Sequence, residues 1–160
     1  MSEKQKPPAY IFDIDGTLAN VDGILMYLEN KDIPGDRSKA DWLTFYKESI
    51  KVPINKEAYT LYNEALDGGY KILMVTARME KWREYTDIWL DKYKLKYDNL
   101  YMRSNGDFRS DYDIKRDILT EIQKSYIVVY AVDDNPNIIK LWQENNIPTT
   151  KIGNWDGVYR

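Results

Sequence analysis

Three short apolar runs, Ala9–Ile14, Tyr70–Val75 and Ile127–Val132, alternate with segments whose apolar residues recur at helical spacing. That alternation limits the fold more than any other feature. Short apolar runs of this kind read as strands buried on both faces. Strands separated by helices pair in parallel, through right-handed crossovers. A weaker run at Asn99–Met102 and an edge segment at Thr149–Ile152 extend the sheet. Helical spacing covers Ser38–Ile50, opened by Ser-x-x-Asp, and Asn55–Leu66, stopped by Gly68-Gly69. It continues over Met79–Tyr93, Ile114–Lys124 and Asn137–Asn145. No repeat or linker interrupts this α/β pattern, so the 160 residues are expected to form one domain. The stretch 19–66 is too long for a simple crossover and is expected to hold extra helices beside the site.

Two absences restrict the chemistry. The chain has no cysteine and no histidine. Thiolate nucleophiles, Ser-His-Asp triads and His- or Cys-ligated zinc are therefore excluded. Catalysis must rest on carboxylates, Lys, Arg or hydroxyls, and any metal must be a hard cation held by oxygen. The net charge of -3 argues against a protein that coats nucleic acid, but leaves room for a local basic groove. No apolar run reaches membrane-spanning length and the opening Met1–Pro8 is polar, so a soluble, cytoplasmic protein is expected.

Open parallel sheets bind ligands at the carboxyl ends of their strands. The first run ends Asp13-Ile14-Asp15-Gly16-Thr17, where alternation places both carboxylates on one side and Gly16 permits a sharp turn. The second ends Thr76-Ala77-Arg78, a hydroxyl and a guanidinium suited to an anion, although Thr76 as a helix cap explains it equally well. The third ends Asp133-Asp134-Asn135-Pro136, two adjacent acids that repel unless a cation or donors satisfy them. A fourth piece, Arg109-Ser110-Asp111-Tyr112-Asp113-Ile114-Lys115-Arg116, puts cations in what reads as the first turn of a helix, against its dipole, although an exposed lysine reaching water explains it equally well.

Acid pair, hydroxyl, lysine and acid pair, in that order, resemble the motifs of the haloacid dehalogenase superfamily of phosphotransferases. Thr76-Ala77-Arg78, Leu100–Arg103, Gly106–Arg109, Asp111 four residues before Lys115, and Val132-Asp133-Asp134 are similar to the 3′-phosphatase domain of phage polynucleotide kinase-phosphatases. Ile24 stands where the phage prototype carries an arginine, and no Gly-x-x-x-x-Gly-Lys-Ser/Thr kinase motif occurs. The resemblance implies a three-layer, Rossmann-like α/β fold with a mostly parallel sheet and 19–66 as a minimal cap. It also implies a nucleophile at Asp13, an acid-base at Asp15 and phosphoryl binding by Thr76 and Lys115. Asp111 is expected to orient Lys115 and Arg78 to grip a substrate phosphate. Mg2+ is expected on Asp13, the Asp15 carbonyl, Asp133 and Asp134.

The implied substrate is a phosphorylated nucleic-acid end, with a kinase or ligase partner on a separate chain. Between Lys71 and Lys124, 12 basic residues face 10 acidic ones, a surplus of two that suits a phosphate-rich ligand. Trp42, Phe45 and Tyr46 are candidates to stack on a base, with packing the better explanation; Trp82, Tyr85 and Trp89 are expected in the core. A nucleotidase uses the same residues, and an inactive binding module is the reading outside enzymes. Steep salt dependence distinguishes an oligonucleotide substrate from a mononucleotide.

Overall fold

The structure, a computed structural model, describes residues 5–30, 32–33 and 36–157; Met1–Lys4 of the polar opening lie outside them. Five strands form one sheet: β1 (Pro8–Phe12), β2 (Lys71–Met79), β3 (Asn99–Arg103), β4 (Ile127–Asp133) and β5 (Thr149–Lys151). Their order is β3-β2-β1-β4-β5, and every pairing is parallel. Parallel pairing follows from the helices between strands: α1 (Trp42–Ser49), α2 (Lys56–Asp67), α3 (Arg83–Lys92), α4 (Asp111–Ile122) and α5 (Pro136–Glu144).

Alternation along the strands divides the core into two layers. Phe12, Ile72 and Met74 point to one face and meet Tyr62, Trp89 and Phe45 from the α1–α3 side. Ile11, Leu73 and Val75 point to the other and meet Leu119, Ile138 and Trp142 from α4 and α5. Helices on both faces of a central sheet make the three layers that the resemblance implies. No helix among the described residues is long and apolar enough to cross a membrane.

Several boundaries differ from the sequence reading for local reasons. Asp41, not Ser38, caps α1: its carboxylate accepts from the Thr44 amide at 3.0 Å and the Thr44 hydroxyl at 2.6 Å. The run Met79–Tyr93 is not one helix. β2 extends to Met79, a 3₁₀ turn covers Glu80–Trp82, and α3 starts at Arg83. α4 begins at Asp111, capped by Ser110, which puts Lys115 in its second turn rather than opposite the dipole at its first. The Gly68-Gly69 stop and the Asn135-Pro136 start are as expected; Gly69 takes φ +79° and the Asn135 side chain accepts from the Asn137 amide at 2.9 Å. Within 19–66, the structure adds a 3₁₀ helix at Asp22–Tyr27 before α1 and α2.

Candidate active site

β1 stops at Phe12, and the chain turns over the sheet edge through Gly16 at φ +81°. The turn leaves Asp13 buried at the edge, with its amide still donating to the Val132 carbonyl at 3.0 Å. Beside it, β4 delivers Asp133 and Asp134, both buried. One α4 residue reaches this group: Lys115 Nζ donates to Asp13 Oδ1 at 3.0 Å and to Asp133 Oδ2 at 2.7 Å. Thr17 completes it, donating to Asp13 Oδ2 at 2.9 Å with Asp134 Oδ1 at 3.2 Å from the same hydroxyl.

Carboxylate oxygens of Asp13, Asp133 and Asp134 lie within 4.8 Å of one another. Lys115 is shared between two of these three buried acids. Burial, reinforced by Asp13, pushes the Asp133 carboxyl above the usual carboxylate range. Burial also works against the Lys115 ammonium, but Asp13 and Asp133 outweigh it and hold the lysine protonated. An all-oxygen set of clustered, buried carboxylates fits a hard divalent cation.

The second strand contributes through an irregularity. Val75 and Met79 of β2 pair with Tyr101 and Arg103 of β3, so Thr76-Ala77-Arg78 bulge from the ladder. Bulges re-aim side chains beside active sites. Thr76 is no helix cap. Its Oγ1 accepts from the Arg78 amide at 3.1 Å, which leaves its own proton for a group in the cavity. Arg78 is 2% exposed and spends its guanidinium inside the protein. Nε and Nη2 donate to Asp15 at 2.8 and 2.5 Å, Nη1 donates to Thr86 at 3.0 Å, and the Tyr46 ring centre lies 4.8 Å from the guanidinium carbon. Arg78 therefore orients Asp15, a pairing that the expected grip on a substrate phosphate did not include.

Asp111 pairs elsewhere than with the expected Lys115. Its carboxylate accepts from Arg103 Nη2 at 2.6 Å, and Lys115 is instead oriented by Asp13 and Asp133. Asp111 sits at the first turn of α4, within reach of the Arg103 fork, whereas the lysine points to the sheet edge. Asp13, Asp15, Thr76, Lys115, Asp133 and Asp134 nonetheless line one cavity of about 420 Å³, with Arg78 and Asp111 in its walls. Asp15 is turned toward Arg78, so its side chain is not among the clustered metal-type acids.

Sequence reasoning gave no role to Thr17, Thr86 or Arg103. Thr17 lies inside the Asp-x-Asp-Gly-Thr run, and Arg103 ends the Leu100–Arg103 run, so both carried a signal; Thr86 carried none. Tyr46 packs as expected, under Trp42 and on Arg78, yet it also lines the cavity with Trp42 and Phe45. Trp89 is core, its Nε1 donating to the Val52 carbonyl at 2.9 Å, but Trp82 is half-buried and lines the cavity.

The family model described as the polynucleotide kinase PNKP phosphatase domain matches residues 7–156. The chain belongs to this family. It is thus a phosphatase of the haloacid dehalogenase type, a phosphomonoester hydrolase, and that class generally uses a divalent metal. A protein of Autographa californica nuclear polyhedrosis virus, described as a bifunctional polynucleotide kinase/RNA ligase, is 26% identical over 145 residues. The match covers 89% of this chain and 19% of the viral protein. A chain of a Pnkp1/Rnl/Hen1 complex is 29% identical with a TM-score of 0.75, over 96% of this chain and 49% of that one. This chain therefore spans about a fifth of the viral relative and about half of the chain in the complex. A class C acid phosphatase from Bacillus anthracis with tungstate bound shares the fold, with a TM-score of 0.67 at 11% identity over 94% of this chain and 68% of that one.

Proposed function

We propose that this chain is a Mg2+-dependent polynucleotide 3′-phosphatase of nucleic-acid end repair. The observation that carries the reading is one cavity with a buried Asp13–Lys115–Asp133 floor and a rim of aromatic and basic residues, among them Trp42, Arg37 and Lys81. The floor suits a phosphoryl group, and the rim suits a base and its phosphodiester. Residues 1–160 act as one phosphatase domain. The stretch 19–66 serves as its minimal cap, since Leu25, Leu28, Arg37 and Tyr46 wall the cavity.

With Cys and His absent, Asp13 is the nucleophile and attacks phosphorus to form an aspartyl-phosphate. Lys115, already on Asp13 Oδ1, balances the charge that develops on the phosphoryl oxygens, and the Thr76 hydroxyl donates to one of them. Asp15, held by Arg78, gives a proton to the departing ribose oxygen and then takes one from the water that attacks the intermediate. Asp13, Asp134 and the Asp15 carbonyl would hold the Mg2+, whose charge offsets the repulsion between an attacking carboxylate and a phosphate dianion. Asp133 supports them. Its two oxygens already accept from Lys115 and from the amides of Asp134 and Asn135 at 2.7, 2.8 and 3.0 Å.

The product carries a 3′-hydroxyl, the form that a ligase joins. A kinase or ligase partner, on a separate chain or the same polypeptide, fits that chemistry. Relatives named for a polynucleotide kinase/RNA ligase and for a Pnkp1/Rnl/Hen1 RNA repair complex support it.

Phosphate release from a 3′-phosphorylated oligonucleotide, beside a 3′- and a 5′-mononucleotide, tests the reading. Release is expected fastest from the oligonucleotide and absent in EDTA, and its rate at low substrate should fall steeply with salt. Faster release from the mononucleotides would make the chain a nucleotidase with the same catalytic residues.

A further inference from the structure

Phe108 is 85% exposed, yet it lines the same cavity as Asp13 and Lys115. An apolar ring standing in water is unremarkable on a floppy loop. This loop is built. Arg103, itself 8% exposed, donates from Nη1 to the carbonyls on either side of Phe108, Asp107 at 2.9 Å and Arg109 at 2.6 Å. Its Nε holds the Ala77 carbonyl at 2.8 Å, so the loop is tied to the β2 bulge that positions Thr76 and Arg78. The Asp107 carboxylate accepts from the Arg109 amide and guanidinium, and Gly106 turns the chain at φ +79°. Asn105 Oδ1 accepts from the Lys81 amide at 2.8 Å, locking the loop to the turn before α3. A nearly buried arginine and five backbone groups thus fix the loop that carries this exposed ring.

Lys81 adds charge at the same rim. Its ammonium rests 5.1 Å from the centre of the Trp82 ring, and no carboxylate pairs with it among the described residues. A flat π face held at the mouth of a phosphoryl site, beside an unpaired cation, matches a base and the phosphodiester that follows it.

From this arrangement we propose that Phe108 is a stacking platform for an unpaired nucleobase of the phosphorylated strand, with Lys81 on its backbone. The inference rests on the polynucleotide reading above and names the residues that select a strand over a lone phosphate ester. Because the loop is preorganised, its backbone pays little conformational entropy when a base stacks on the ring.

The test pairs a change in the protein with a change in the substrate. kcat/KM is measured for a 3′-phosphorylated oligonucleotide and for the same strand with abasic sugars in its last two positions. Phe108→Ala is expected to lower kcat/KM about tenfold on the normal strand, mostly through KM. On the abasic strand it should cost nothing further, since base and ring act as one contact. Phe108→Trp should restore the normal value, and the melting temperature should not move. Equal losses on both strands, or no loss on either, overturn the role of Phe108. A wild-type protein that prefers mononucleotides overturns the polynucleotide reading itself, and the platform with it. Lys81→Ala should flatten the dependence of log KM on log salt by about 0.7, the share of one phosphate contact on a single strand. An unchanged slope overturns the assignment of Lys81.

Discussion

Asp13→Asn is expected to lower phosphate release roughly ten-thousandfold or more while leaving the fold intact. The amide is isosteric, and its oxygen still accepts from Lys115, so the 3.0 Å contact survives. Thr17 can turn its proton to Asp134 Oδ1, already 3.2 Å away, and accept from the new amide instead. What disappears is the proposed nucleophile. One acid is also removed from a crowded set in which Asp13 pushes the Asp133 carboxyl upward. In EDTA the variant should therefore melt at or above the wild-type temperature, and a divalent metal should stabilise it less. Retained turnover would remove Asp13 from the chemistry. A collapsed melting temperature would make Asp13 a structural residue.

Lys115→Met should fail in the opposite way, losing both activity and stability. The ammonium is the shared partner of Asp13 and Asp133, and it is buried with them. Taking away one member of a buried ionic group leaves uncompensated charge and costs about 3–5 kcal/mol. For a domain of this size that corresponds to a fall in melting temperature on the order of 10 °C. The pH dependence has a definite sign. Asp133 binds its proton more tightly in the folded protein than in the unfolded chain, because of burial and then Asp13. The folded state of the metal-free variant therefore takes up protons first, and its stability rises as pH falls from neutrality toward the ordinary carboxylate range. Melts in EDTA across that window check this. A variant as stable as wild type at neutral pH would mean that the cluster does not need its lysine.

Much of this was legible in the sequence, because strand-end acids violate the strand's own preferences. Asp13, Asp133 and Asp134 stand out against Phe12, Ile14 and Val132, and the sheet edge collects them as the alternation of strands and helices requires. What stayed hidden was pairing between distant positions. Arg78 and Asp15 are 63 residues apart, and nothing local says that the guanidinium will be spent on that carboxylate. Asp111 has a similar history: the resemblance implied that it orients Lys115, whereas Arg103 from β3, eight residues before it, takes the carboxylate. The β2 bulge was also invisible. Thr76-Ala77-Arg78 read as a strand tip before a helix, and only the pairing of β2 with β3 shows it to be two residues too many on one side of a ladder.

In the proposed mechanism Asp13 carries the phosphoryl group while Asp15 serves it. Asp15→Asn given para-nitrophenyl phosphate isolates that step, because a nitrophenolate leaves without a proton and only the return attack by water needs the base. The expected result is a burst of about one equivalent of nitrophenolate, slow turnover afterwards, and a phosphoryl group found by mass spectrometry on the peptide containing Asp13. Steady release at the wild-type rate with no burst, or a phosphoryl group on any other residue, would contradict it.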